Sequence, residues 1–328
     1  MQSGRRDELS AGGRARERRS AVIAAQVTAA AAGPVLPLVH GPLHGGSVLG
    51  VFTRAVIIGV RTAAGPRVLS LLAPAAAGVP NGVRLAAVDA GLVARPTPGD
   101  AVSVGAGRIL LGGLDIRVVR SWPCRVGRLT VDRRSIDAIS DTAAMQVSGV
   151  PDGVVAALES ALESALESAQ ESAQQSVGHH PGMSTPPATG RPLQAAVGDL
   201  VGRGLGLTPG GDDVIAGALC GLHAAGATGL VSAVAAAALT DVTDRTTLVS
   251  ADLLRLAADG NACVEVLGVL RAAHHARDRL RLGDSTLAGA LDRLLAVGHT
   301  SGTDLATGLA VGLRVGAARA ARKRSEVC

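Results

Sequence analysis

The alternation of apolar and polar residues divides the chain into a β-rich part and a helical part. From about residue 46 to residue 131, short β-branched runs are broken by Gly and Pro, which is typical of strands joined by turns. The predicted strands cover residues 47–60, 67–72, 82–88, 101–104, 109–111 and 114–119. A short helix is predicted before them, at residues 21–32, where Gly and Pro then end the apolar run.

From residue 191 onward the apolar positions recur with helical spacing, and Gly, Asp or Thr stands at nearly every boundary. The predicted helices cover residues 192–201, 213–225, 230–239, 244–258, 263–282, 285–297 and 303–320. The predicted fold class is α+β, with a small β-rich N-terminal domain followed by an all-helical C-terminal domain of about seven helices.

A four-residue repeat separates the two parts. Residues 157–176 read Ala-Leu-Glu-Ser three times, then Ala-Gln-Glu-Ser and Ala-Gln-Gln-Ser. Because such a period drifts around a helix of 3.6 residues per turn, we expect a solvated spacer that contributes nothing to the core, with a functional coil as the alternative. The predicted organisation is a disordered extension (1–19), a β-rich domain with a leading helix (20–150), this repeat spacer and a linker (151–190), a helical ligand-binding domain (191–320) and a basic tail (321–328).

Composition narrows the possible functions. The chain is 47% hydrophobic but only 1% aromatic, so its cores are built from small side chains. A net charge of +5 suggests nucleic acid, yet one Phe, one Trp and no Tyr provide no stacking platform, and no nucleic-acid partner is predicted. The single lysine, Lys323, lies in the charged tail. Schiff-base chemistry and a phosphate-loop lysine are therefore not expected.

The cysteines and apolar runs place the chain in the cytoplasm by expectation. Cys124, Cys220, Cys263 and Cys328 are far apart and form no C-x-x-C pair, so we expect reduced thiols, no metal site and no cofactor. No apolar run approaches the roughly 18 residues of a membrane span, and polar residues and prolines interrupt the one stretch that resembles a signal peptide, residues 21–39. No membrane partner is predicted.

The sharpest candidate site is a glycine-rich corner between two predicted helices, residues 202–213, hereafter the first corner. Its glycines let backbone N–H groups approach a ligand, and the helix that follows favours an anion at its N-terminus. The predicted substrate-binding residues here are Gly206, Thr208, Gly210, Gly211, Asp212 and Asp213. The alternative is a well-capped helix start, with Thr208 before Pro209 and the two carboxylates in the opening turn.

A second polar corner, residues 298–304, also lies between two predicted helices. His299 is predicted to act as a catalytic group that donates to, or protonates, a ligand oxygen. Substrate binding is predicted for Thr300, Ser301, Gly302 and Asp304. Helix capping by a hydroxyl, with His299 as a cation at a helix end, is the alternative.

A third segment joins Arg245 to Thr246 and Thr247, with Ser250 one helical turn further on. Arg245 is predicted as a catalytic residue that grips a carboxylate or phosphate bidentately, and Thr246 and Thr247 as substrate-binding residues. An exposed helix start is the equally weighted alternative. We predict that the two corners lie side by side and that Arg245 reaches the same cavity.

These three segments, together with Pro80-Asn81-Gly82-Val83, resemble the family of the AllH subunit of oxamate carbamoyltransferase. The resemblance covers residues 40–131 and 191–320, and Gly210 stands where the family usually has Ser. It implies a complex that interconverts carbamoyl phosphate plus oxamate with oxalurate plus phosphate in allantoin breakdown. It also implies companion subunits. We add Asn81, which lies in the fourth of these segments, to the predicted substrate-binding residues. The Ser-x-Arg-Thr-Arg motif of the familiar transcarbamoylases is absent, so the scaffold would be different.

Carbamoyl transfer requires a phosphate cradle, donors for the carbamoyl oxygen and a cation for the oxamate carboxylate. The first corner, His299 with its hydroxyl neighbours, and Arg245 match these needs in residue type. The predicted partners are a small anionic metabolite (carbamoyl phosphate, oxamate or oxalurate) and the companion subunits. The alternative function is a non-catalytic small-anion-binding or accessory subunit of a metabolic complex.

Overall fold

The β-rich part folds as a closed eight-stranded barrel in the computed structural model, which describes residues 25–86, 96–176, 190–277 and 286–325. The strands are β1 (Ala25–Ala32), β2 (His44–Phe52), β3 (Ala55–Thr62), β4 (Gly65–Leu72), β5 (Gly82–Leu85), β6 (Ala101–Gly105), β7 (Arg108–Leu111) and β8 (Leu114–Trp122). They pair in the order β1-β5-β4-β3-β2-β6-β7-β8 and close on themselves. The predicted fold class, with a simple small β-rich domain, is therefore wrong: closure removes the free sheet edges.

Strand β1 closes the barrel and falls where a helix was predicted. It pairs antiparallel with β5 and parallel with β8, with Val27 opposite Ile116. Its alanines favour a helix by propensity, but Ala29 and Ala31 are almost fully buried in the barrel core. Tertiary pairing outweighs local propensity here, because small inward side chains fit a barrel interior that larger neighbours already fill.

The helical half begins well before residue 191. Its helices are α1 (Leu36–His40, beside the barrel), α2 (Arg133–Ala144), α3 (Asp152–Ser176), α4 (Gly190–Leu200), α5 (Gly210–Ala225), α6 (Thr228–Leu239), α7 (Val242–Arg245), α8 (Leu248–Ala258), α9 (Val264–Arg277), α10 (Leu287–Leu295) and α11 (Ser301–Ser325). Ile139 of α2 is buried in one cluster with Leu309 of α11. Helices thus precede residue 191 as well as follow it, and the one helix predicted at residues 244–258 is two.

The repeat helix α3 packs against the core, so the prediction of a spacer that contributes nothing is wrong. Leu158, Leu162 and Leu166 are 0%, 0% and 4% exposed. Each four-residue repeat drifts by roughly 40° around the helix, so three leucines stay within an arc of about 80°. The next repeat would carry the side chain off that face, and there the sequence has Gln170 instead of Leu. Glu159 forms an ion pair with Arg314 of α11 at 2.5 Å.

Helices α5 and α11 form a glycine-lined seam and run parallel. A Cβ added at Gly308 would overlap the Val214 carbonyl oxygen, and one at Gly217 would overlap the Leu305 carbonyl oxygen. The two backbones are therefore in direct contact, closer than ordinary side chains allow. Because Val214 meets Gly308 and Ala218 meets Gly312, both helices begin at the same end of the seam.

Candidate functional site

The two polar corners meet at the start of this seam. The Thr208 and Ser301 hydroxyl oxygens are 3.1 Å apart, although 93 residues separate them in the chain. A Cβ added at Gly210 would come within 2.7 Å of Asp304 Oδ2. The prediction that the corners lie side by side is confirmed, and the parallel seam explains it, because it brings two helix N-termini to one place.

A cavity of about 200 Å³ lies beside this junction. Its polar lining consists of Thr208, Asp213, Asn261 and Ser301, with Gly298 next to them. Apolar side chains from α5, α8, α9 and the segment before β5, such as Leu253 and Val266, form most of the remaining wall. At about 30 Å³ per water, the cavity has room for roughly six waters or one small ligand.

Asp213 is the most unusual group in this cavity. It is only 7% exposed, and burial raises its pKa to about 8, with the negative charges of Asp304 and Asp212 acting in the same direction. Hydrogen bonds from the Ser301 and Thr208 hydroxyls partly oppose that rise. Its Oδ2 is buried without a hydrogen-bond partner among the described residues. At neutral pH Asp213 is therefore mostly protonated, and it can both donate and accept a hydrogen bond.

Asp304 connects the loop before α3 to the place where the two corners meet. Its Oδ1 accepts hydrogen bonds from Ser148 Oγ at 2.7 Å and from the Gly149 N–H at 2.9 Å. A Cβ added at Gly149 would come within 3.2 Å of Thr300 Oγ1 and 2.8 Å of Asp304 Oδ2. Sequence reasoning missed Ser148 and Gly149, because they stand in a short loop with no periodicity and only a following Pro to mark them.

Asp212, the neighbour of Asp213, binds protein groups instead. Its Oδ1 accepts from the Gly202 N–H at 2.8 Å, and its Oδ2 accepts from Thr246 Oγ1 at 2.5 Å and Ser250 Oγ at 2.6 Å. We call these four residues the Asp212 knot. Beside it, Thr247 Oγ1 donates to the Leu207 carbonyl at 2.5 Å. Asp212, Thr246 and Thr247 therefore hold the first corner against the start of α8, and none of the three lines the cavity.

Arg245 does not reach the cavity, so that prediction is wrong. Its Nη2 donates to the Gly198 carbonyl at 2.8 Å and its Nη1 to the Thr240 carbonyl at 3.4 Å. The guanidinium thus satisfies carbonyl groups near the ends of α4 and α6. Its side chain lies away from the wall that Thr208 and Ser301 form.

His299 and Asn81 lie near the cavity without lining it. His299 is exposed, while Gly298 and Ser301 on either side contribute to the wall. Asn81 is 1% exposed and accepts a hydrogen bond from Ser70 Oγ at 3.2 Å, and its neighbour Pro80 lines the cavity. Their roles toward a ligand stay predictions.

Gly211 and Gly302 show that the two corners are built alike. Each is the second residue of its helix, and a Cβ there would overlap the carbonyl oxygen of Leu200 or Leu294 respectively, in the helix before the corner. Their N–H groups donate to Arg203 O and Val297 O, both at 2.9 Å, so they are not free for a ligand. Gly206, by contrast, is exposed, with a φ of +94° that favours glycine.

The remaining chemistry of the region is limited. Burial raises the pKa of the wall thiol Cys220 to about 12 and raises that of Cys263 as well, so both stay protonated at neutral pH and are poor nucleophiles. Within the described residues, no group of three or more His, Cys, Asp or Glu side chains could hold a metal ion. No helix in those same ranges is long and apolar enough to cross a membrane.

Comparison with known proteins agrees with the motifs. No curated protein and no solved structure matches the chain. The model of the family described as oxamate carbamoyltransferase subunit AllH matches residues 200–313, about a third of the 328 residues. That range contains both corners, the Asp212 knot and most of the glycine-lined seam. The resemblance predicted from the sequence is thereby confirmed over residues 200–313, which match the pattern of the AllH subunit family of oxamate carbamoyltransferase.

Proposed function

We propose that the chain is a subunit of an oxamate carbamoyltransferase-like complex and that its cavity binds the carbamoyl group. The observation that carries this proposal is Asp213, a buried and mostly protonated carboxyl group at the polar end of a small apolar cavity. The family match over residues 200–313 supplies the reaction class and the companion subunits.

A protonated carboxyl group is complementary to a carbamoyl group. Its O–H donates to the carbamoyl oxygen, and its other oxygen accepts from a carbamoyl N–H, so the two planar groups pair through two hydrogen bonds. The apolar walls favour this uncharged end of carbamoyl phosphate over its phosphate. The Thr208 and Ser301 hydroxyls, 3.1 Å apart, would hold the Asp213 carboxyl in place for this contact.

The same contact would assist the transfer. The oxamate amide nitrogen forms a bond to the carbamoyl carbon, and the bond from that carbon to the phosphate oxygen breaks. Phosphate leaves with the electron pair and takes up the proton that the nitrogen loses. As attack proceeds, negative charge develops on the carbamoyl oxygen, so a hydrogen bond from Asp213 strengthens toward the transition state.

A neutral probe tests the cavity separately from any anion site. Methyl carbamate should bind the full chain at pH 6.5 and weaken at least tenfold by pH 9.5, because Asp213 loses its proton as the pH rises through about 8. The Asp213→Asn variant should bind with little pH dependence, since an amide donates and accepts at every pH. The exposed Asp292→Asn change is the matched control and should behave like the wild type. NMR titration measures the affinity of methyl carbamate for the wild type and for both variants. Equal affinity of the wild type at both pH values would refute the proposal.

One observation favours the alternative function, a non-catalytic binding subunit. Arg245, the cation predicted to bind the oxamate carboxylate, lies outside the cavity. Turnover of the complex purified with its companion subunits separates the two. If the subunit is catalytic, Ser301→Ala should lower kcat, since loss of that hydroxyl releases the Asp213 carboxyl. An unchanged kcat together with weaker methyl carbamate binding would support the binding subunit instead.

A further inference from the structure

A second and larger recess, of about 690 Å³, opens where one end of the barrel meets the helical half. Residues 33–34 after β1, residues 123–125 after β8, and Ala258, Asp259 and Asn261 at and beyond the end of α8 contribute to its wall. Its charged and polar lining residues are Arg67, Arg125, His223, Asp259 and Asn261. Neither corner contributes to it, and the sequence motifs did not indicate it.

Arg67 presents a preoriented fork of donors to this recess. Its Nε donates to Asp252 Oδ1 at 2.6 Å, and the Asp252 side chain is fully buried, whereas the Arg67 side chain is 34% exposed. Its two Nη groups have no hydrogen-bond partner among the described residues. Because one edge of the guanidinium is held by a buried carboxylate, the free edge is fixed in direction and can bind an oxyanion with little loss of rotamer freedom.

Arg125 adds a second cation on a rigid backbone. The Val126 N–H donates to Gly260 O at 2.9 Å, and the Ala262 N–H donates to Cys124 O at 2.8 Å. These two bonds bracket Arg125, whose side chain is exposed. Arg125 therefore lines the recess from a backbone position that does not move freely.

The His223 side of the recess lies far along α5 from Asp213. His223, which lines the recess, follows Asp213 by ten residues on α5, which is roughly 15 Å along the helix. His223 Nε2 lies 3.0 Å from the Ala258 carbonyl, and since a carbonyl only accepts, this nitrogen carries the proton. Asn261 lines both the recess and the cavity, so the two are neighbours.

We propose that this recess is a second ligand site for a small metabolite with one compact oxyanion. The two Nη groups of Arg67, which form a fork of donors, and the guanidinium of Arg125 would bind that oxyanion. A carboxylate and a phosphate share this chemistry. The exposed carboxylate of Asp259 also lines the recess, and its negative charge repels a ligand that carries several anionic groups. It suits a ligand whose end opposite the oxyanion is uncharged or donates hydrogen bonds. This site is independent of the function proposed for the cavity.

Isothermal titration of the full chain with acetate and with inorganic phosphate tests the recess. Saturable binding of at least one probe is expected, and the tighter one identifies the preferred oxyanion. Arg125→Ala removes an exposed side chain and should weaken binding about tenfold or more. Arg67→Lys keeps a cation for Asp252 but loses the fork, and it should weaken binding similarly. Arg134→Ala, an exposed arginine on α2, is the matched control and should leave affinity unchanged.

Two results would overturn the second site. One is the absence of saturable binding of either probe to the folded wild type. The other is an affinity loss in Asp213→Asn as large as that in Arg125→Ala, which would place the anion in the cavity. Unchanged anion binding in Asp213→Asn, together with its altered methyl carbamate profile, would support two separate sites, and either site can fail without the other.

Discussion

Asp212 and Asp213 are adjacent in α5 and almost equally buried, at 1% and 7% exposure, yet their hydrogen bonds differ. Both oxygens of Asp212 accept hydrogen bonds, from donors in the first corner and at the start of α8. Asp213 faces the cavity with Oδ2 unpartnered among the described residues, and burial and two nearby carboxylates hold its pKa near 8. A helix turn of 100° per residue points the two side chains in different directions.

Burial and residue type therefore do not distinguish these two neighbouring carboxyl groups, whereas their hydrogen bonds do. Buried polar groups in folded proteins nearly always have partners, so one without a partner requires an explanation. In the Asp212 knot the protein supplies every hydrogen-bond partner, whereas Asp213 Oδ2 has none among the described residues, which supports the ligand contact proposed for it.

The largest expected effect is that of Asp212→Ala. It leaves the Gly202 N–H and the Thr246 and Ser250 hydroxyls without their acceptor, which should cost about 3–5 kcal/mol of unfolding free energy. Urea denaturation measures it, and Asp259→Ala, on the exposed end of α8, is the control. A cost below about 1 kcal/mol would mean that the knot does not hold the corner.

Gly308→Ala should have the next largest effect. The added methyl group would overlap the Val214 carbonyl and force α5 from α11, which should cost about 1–3 kcal/mol and separate Thr208 from Ser301. Gly268→Ala in α9 meets nothing within 4 Å and should instead stabilise by up to about 1 kcal/mol. If thermal melts show the same shift for both variants, close backbone contact is not what aligns the corners.

Asp213→Asn should change stability in the opposite direction. Since the folded pKa of about 8 lies above the ordinary 3.8, the folded state holds a proton that the unfolded state releases, so this group costs stability increasingly from about pH 4 to pH 8. The variant should therefore gain stability relative to the wild type, and it should gain more at pH 8 than at pH 5. A destabilised variant at pH 8, by denaturant titration at the two pH values, would contradict an unsatisfied Asp213.

Much of the fold could be predicted from local pattern. Strands appear at all six predicted positions, and every predicted helix after residue 191 has a counterpart, because apolar spacing and Gly or Pro boundaries are local signals. Strand β1 could not be predicted, since its alanines favour a helix until β5 and β8 pair with it. Nor could the burial of the repeat helix, which depends on its contacts with α4 and α11.

By itself the sequence determined the chemistry available to the site: the two glycine-rich corners, the paired carboxylates, and the absence of lysine outside the tail. Only the tertiary structure decided which of these groups act together. The Gly308 and Gly217 seam sets two helices parallel and so joins Thr208 to Ser301 across 93 residues. Packing likewise turns Arg245 to backbone carbonyls and leaves Asp213 Oδ2 without a hydrogen-bond partner among the described residues, because direction and burial arise from contacts between segments distant in the chain.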